Sequence, residues 1–343
     1  MTADSYRRLH RHRLLILALL VLLLLVLLAV DLVVGPSATS SADLLRAVLQ
    51  PDSVPRPVSV IVWQIRLPTA LTAVLVGAGL ALAGAEMQTI HDNPLADPFI
   101  LGVASAASLG AALVIVLGIG IPGVSANWVL PANAFLLAVG AVALLQLMSR
   151  LRGGGSESLV LFGIALVFAF NAAVALLQFV ASDQALQQLV FWQMGSLARS
   201  SWPRLGILLL VLALTFPFSM RAAWQLTVLR LGEERALSLG VDVPRLRLFS
   251  LLRVSLLTAT AVAFVGTIGF IGLIGPHMAR LLVGEDHRYF LPASLLAGAV
   301  LLSASSIASK AIVPGLLVPV GIVTALVGVP AFLAIVVGRR RPA

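Results

Sequence analysis

Ten apolar runs recur along the chain, at 14–34, 62–89, 96–118, 128–148, 158–181, 203–220, 246–266, 268–283, 291–309 and 317–337, between short polar or Pro/Gly breaks. A helix of about 20 mostly apolar residues crosses the hydrocarbon core of a bilayer. Within lipid each backbone amide must find its partner inside its own segment, so such runs become helices and not open strands. Composition supports this reading: 60% of the residues are hydrophobic and 11% are charged, against about 25% charged in soluble domains. One water-facing globule of this length has too little interior for so much apolar surface. The expected fold class is an all-α membrane protein with about ten transmembrane helices. The second run is long enough to tilt. The eighth is short and glycine-rich, with Gly266, Gly269, Gly272 and Gly275 blurring its boundary with the seventh.

Basic residues set orientation, because loops rich in Lys and Arg stay in the cytoplasm. With the N-terminus inside, 17 of the 23 basic residues fall on the cytoplasmic side. Both ends are basic (Arg7, Arg8, Arg11 and Arg13; Arg339, Arg340 and Arg341), as an even number of spans requires. The expected organisation is a cytoplasmic tail over 1–13, a ten-helix transmembrane domain over 14–337 with a cytoplasmic loop at 221–246, and a basic tail over 338–343. Segments 35–61, 182–202 and 310–316 then face outside. The run 14–30 exceeds the usual apolar core of a secretion signal, so it is expected to remain as the first span.

Several function classes drop out. The net charge of +9 comes from bases dispersed between apolar spans, with 6% aromatic residues, so nucleic acid is not an expected partner. The absence of cysteine removes disulfides, thiolate ligands and cysteine nucleophiles. Lys310 is the only lysine and is followed by Ala311, so there is no Walker-type phosphate loop and no ATP site on this chain. No His-Glu-x-x-His or Gly-x-Ser-x-Gly motif supports an intramembrane enzyme.

The loop 221–246 carries most of the internal charge. Helix formers run over 233–239, Glu233 and Glu234 sit in the first turn where the helix dipole favours acids, and Gly240 fits a left-handed end cap. A second helix is expected to start near Pro244. Glu234-x-Ala236-x-x-x-Gly240 resembles the coupling-helix pattern of ABC-importer permeases. Three further stretches resemble the FecCD family of iron-siderophore, haem and vitamin B12 permeases. One runs from Arg66-Leu67-Pro68 through LVGAGLALAGA at 75–85 and Gln88 to Asn93-Pro94-Leu95-Ala96-Asp97-Pro98. Another is GFIGLIGPHMARLL at 269–282 with Asp286-His287-Arg288 and Leu291-Pro292. The last is PVGIVTALVGVP at 319–330. The resemblance covers about 60–340 in the family's order.

That resemblance implies a type II ABC-importer permease with an inverted 5+5 repeat. It implies a second copy or a paralogous permease, with the path at their interface. Separate ATPase subunits would bind ATP and Mg, and a periplasmic or lipid-anchored binding protein would deliver the substrate. This chain would bind no cofactor and perform no bond chemistry. Glu233, Glu234, Arg235, Ala236, Leu239 and Gly240 would couple to the ATPase. Arg66 and Lys310 are either bases reaching for the membrane edge or docking charges for the binding protein. Thr69 stands where relatives often have a further base. Asn93, Pro94, Gln193, Met194, Pro276 and His277 are gating or path candidates; the segment 186–197 also reads as an interfacial helix, and His277 as structural. A lone histidine is no metal site. Glu86 lies inside an apolar run: it is either hydrogen-bonded near the cytoplasmic end of a tilted span, or the proton carrier of a secondary transporter, the rival reading.

Overall fold

The computed structural model describes residues 3–35, 40–151, 156–313 and 315–338. Residues 1–2 and 339–343 of the expected tails, and Arg152, lie outside them. The described residues are mostly helical, with no strand among them. Seven helices are long and apolar enough to cross a membrane, and three shorter ones are apolar. They correspond one to one with the ten runs. The long ones are α1 (Ala3–Val33), α4 (Leu67–Ile90), α6 (Ala126–Leu151), α7 (Ser156–Val180), α9 (Trp202–Arg221), α12 (Val243–Val265) and α14 (His287–Ala311). The short ones are α5 (Val103–Leu117), α13 (Ile271–Val283) and α15 (Val320–Gly338). Connecting segments carry α2 (Ser41–Leu49), α3 (Arg56–Val60), α8 (Asp183–Gln193), α10 (Ala223–Leu229) and α11 (Glu233–Ser238).

Three boundaries differ from expectation for local reasons. The second span begins early, because α3 continues through a π-type turn (Ile61–Arg66) straight into α4. The third begins late: Asp97 caps a short 3-10 turn by accepting the Phe99 amide at 2.8 Å, and Gly102, at φ 76°, precedes α5. The seventh and eighth are parted at 266–270, where Phe270 adopts φ 69°.

α4 is the axis of the bundle. It is buried on nearly every side, packed against α14, α12, α13 and α9, as expected of a helix apolar all round. Lipid supplies no hydrophobic drive between helices, so small residues set how closely they approach. A methyl on Gly84 would overlap the Gly272 carbonyl of α13, and one on Gly77 the Gly298 carbonyl of α14. The two halves repeat one packing scheme. α4 meets α13 and α14 as α12 meets α5 and α6, and α4 and α12 meet each other. Five spans per half is an odd number, so the halves cross the bilayer in opposite senses.

Candidate functional site

Functional side chains gather at the two ends of the bundle. At one end, α11 stands on the connection between α9 and α12. Gly232 precedes it, Glu233 and Glu234 occupy its first turn, and Gly240 follows at φ 80° with its amide on the Leu237 carbonyl at 2.9 Å. Asp242 caps α12 by accepting the Arg245 amide at 3.1 Å. Ala236 is fully buried and anchors α11, while Glu234, Arg235, Leu237 and Leu239 are exposed. Two leucines on a charged surface helix outside the apolar spans form a contact surface.

Ion pairs tie this helix to the core. Arg247 of α12 holds Glu233 at 2.7 Å and donates to the Ile90 carbonyl, the last residue of α4, at 3.3 Å. Arg230, at the end of α10, bridges Asp92 at 2.5 Å and Glu285 at 2.8 Å. Arg280 of α13 reaches the same Glu285 at 3.1 Å and the Gln88 carbonyl oxygen of the side chain at 3.1 Å. Two polar clusters therefore meet at the end of α4: one ties α11 and α12 to it, and the other ties α10 and α13 to it. Asn93 and Pro94 lie in the turn at that end. The Asn93 side chain accepts the Leu95 amide at 3.0 Å, so it shapes the turn after α4. Arg230, Arg247, Asp92 and Glu285 were not singled out in the sequence; their partners lie too far along the chain for a spacing rule to join them.

At the opposite end, three segments converge. Ser196 donates its amide to the Val265 carbonyl at 2.7 Å, Gly321 to Gly195 at 3.3 Å, and the Thr267 hydroxyl to the Gln193 carbonyl. Gln193 and Met194 line an open cleft of about 660 Å³ with Thr267, Gly269 and the α15 residues Ile322 and Ala325. The cleft carries no charged side chain. Arg199 braces it, donating to the Val265 carbonyl at 3.0 Å, and its pKa is pushed down to about 10 by burial and by Arg204. Pro276, buried, and His277, half-buried, sit on α13 between the two ends, in neither group.

Arg66 and Lys310 are at this second end, but neither side chain is displayed on the surface. Lys310 pairs with Asp31 of α1 at 2.9 Å, with side chains 7% and 1% exposed. Arg66 donates to the Leu32 and Val33 carbonyls at 2.6 and 2.7 Å. The expected pair of solvent-facing docking charges is corrected on this point. The Leu32 and Val33 carbonyls, with no further helical turn to bond, and the Asp31 carboxylate, which also accepts from Ser306 at 3.1 Å, draw both bases inward. Glu86 is fully buried too. Its oxygens accept from Arg253 Nε and Nη2 at 2.9 and 2.6 Å and from the Ser219 hydroxyl. That is the hydrogen-bonded alternative of its two readings.

The family model of the FecCD transport family matches residues 21–338. The hemin transport system permease protein HmuU of Yersinia pestis is 39% identical over 280 residues, covering 81% of this chain and 84% of its own. The molybdate import system permease protein MolB of Haemophilus influenzae is 37% identical over 284 residues, covering 82% of each. A solved inward-facing structure of a metal-chelate type ABC transporter superposes with TM-score 0.82 at 34% identity, over 94% of this chain and 99% of that one. Permeases of this kind work with separate ATPase subunits and substrate-binding proteins and are themselves non-catalytic. A ten-helix bundle with a charged surface helix at one end and an uncharged cleft at the other, matched along nearly its whole length, belongs to the FecCD transport family of ABC-importer permeases.

Proposed function

We propose that two copies of this chain, or one copy and a paralogous permease, form the translocation path of an importer for a metal chelate, with siderophore-bound iron the first candidate and haem or a corrinoid the next. The uncharged lining of the Gln193–Thr267–α15 cleft carries this reading. A large chelate whose charge is wrapped in its own ligands passes such a lining without losing strong hydration. A small bare oxyanion such as molybdate would meet there none of the cationic partners that offset its desolvation. The exposed apolar faces of α15 and its neighbours supply the surface for a second permease.

In this reading the bundle sits in the bacterial inner membrane with both termini and α11 in the cytoplasm. ATPase subunits carry ATP and Mg and dock on the surface of Glu233, Glu234, Arg235, Leu239 and Gly240, which the buried Ala236 holds in place. The binding protein docks at the Arg66 and Lys310 end, where release of these bases from α1 would give it charge to meet. ATP-driven closure of the ATPase pair favours one permease state over the other, and that differential affinity moves the path. The test is uptake into proteoliposomes holding the permease, its ATPase and its binding protein. Ferric siderophore is expected to enter on ATP addition, ahead of haem, cobalamin and molybdate. Molybdate-selective uptake would overturn the substrate reading. Because the chain has no cysteine, a single cysteine at Ser238 reports orientation: an impermeant maleimide should reach it from the cytoplasmic side only.

A further inference from the structure

A groove of about 830 Å³ runs between α9 and α12, its polar end touching the Asp242–Arg245 cap of the α11 site and the rest outside both sites. Its walls are largely apolar and exposed, with Phe218 on α9 and Phe249 and Leu252 on α12; Arg253, paired with the buried Glu86, also opens onto it. Along α12 it extends from Leu256 to Arg245, about 16 Å at the helical rise, close to half of a hydrocarbon core of about 30 Å. It ends at the α11 side of the bundle in polar groups, Arg221, Gln225 and Arg245. Arg221 lies 5.2 Å from the centre of the Phe218 ring, and among the described residues no carboxylate pairs with it. Arg245 is mostly exposed, with only its own cap Asp242 beside it at 3.0 Å.

We propose that this groove is a binding site for an anionic phospholipid of the leaflet on the α11 side. One acyl chain lies along Phe249 and Leu252, and the phosphate sits between Arg221 and Arg245. An apolar slot one leaflet long, closed at the membrane edge by two arginines, matches a lipid in length, polarity and sign of charge. Basic pockets between helices select anionic headgroups in this way. A protein helix seated there would cover the aromatic wall but leave Arg221 facing it without an anion. The lipid would also bear on coupling, because the groove includes Asp242, which caps the helix that receives α11. The assignment needs the chain to span a membrane and is independent of what it transports.

The test is native mass spectrometry of the full chain released from mixed micelles containing equal phosphatidylglycerol and phosphatidylcholine. One phosphatidylglycerol per chain is expected to survive activation that strips the phosphatidylcholine. Its retention should fall about thirty-fold in Arg221→Gln/Arg245→Gln. Leu252→Trp, which fills the slot and keeps both charges, should also displace it, so a folding failure of one variant is covered by the other. A photoreactive residue at position 225 should cross-link to lipid. Equal retention of both lipids, retention unchanged in both variants, or cross-linking of position 225 to a second copy of the chain would each overturn the proposal.

Discussion

Glu86 and Asp31 are the carboxylates at the centres of two buried ion pairs, and what each contributes follows from how its partner is left when it is neutralised. Removing one member of a buried pair strands the other charge, which costs about 3–5 kcal/mol, whereas replacing both by apolar groups is often close to neutral. Glu86→Gln is therefore expected to lower stability by about 3 kcal/mol, at the small end of that range because Arg253 opens onto the α9–α12 groove. ATP-driven uptake by the wild-type protein should be unaffected by collapsing a proton gradient; loss of wild-type uptake on collapse, absent from the folded fraction of Glu86→Gln, would revive a proton-carrying role. For the second pair, Asp31→Asn should be more destabilising than Asp31→Asn with Lys310→Met, and a double-mutant cycle on thermal melts measures the difference. These pairs also mark what a sequence conceals. Lys310 and Arg66 read as bases at a membrane edge because charge pattern reports the end of a span. It does not report that α1, 279 residues away from Lys310, brings a carboxylate and bare carbonyls to the same place.

At the scale of elements, α11 was legible because its determinants are local: acids in the first turn, helix formers after them and a glycine at φ 80° to stop it. The ten runs were legible for the same reason, since hydropathy is summed along the chain. The clusters beneath α11 were not, because Arg230 meets Asp92 and Glu285 across 138 and 55 residues. Partly exposed pairs of this kind contribute little to stability, about 0–1 kcal/mol each, so their effect is on geometry: they fix Arg230, between α10 and α11, to the segments that follow α4 and α13. Arg230→Gln should then leave the melting temperature and ATPase attachment nearly unchanged and reduce substrate moved per ATP hydrolysed, with Arg230→Lys intermediate. If uptake per ATP is unchanged, the Arg230 pairs do not transmit force. The contact between α4 and α13 admits no such subtlety. Gly84→Val inserts a branched side chain against the Gly272 backbone, and overpacking of about 1–3 kcal/mol or more should appear as lost folded yield in membranes.

Across the whole molecule, α1 is, with α7, one of the two least embedded of the long spans, with most of its side chains exposed to the surroundings, so its ends do much of the holding. At one end Asp31, Leu32 and Val33 bind Lys310 and Arg66. At the other, His10 bonds to Tyr289, and Arg13 sits 3.4 Å from Asp286 and 5.0 Å from the centre of the Tyr289 ring. Asp286 also caps α14, accepting the Arg288 amide at 3.1 Å. Burial by itself would raise the Asp286 pKa, but the hydrogen bonds from Arg288 and the charges of Arg288 and Arg13 outweigh it and hold the carboxyl below its usual range. The folded state therefore binds this proton less tightly than the unfolded chain does. The stabilisation is complete above the unfolded titration near pH 3.9 and is lost as pH falls through the lower folded value. Thermal melts of the purified protein should show the difference between wild type and Asp286→Asn constant from pH 7 to about 5, then shrinking below about pH 4 as the wild-type carboxylate takes up its proton. A difference that stays constant into the acid limb would mean that the charge of Asp286 does not hold α1 to α14. The contacts of His10 and Arg13 with Tyr289 would then carry the polar attachment of the two helices at that end.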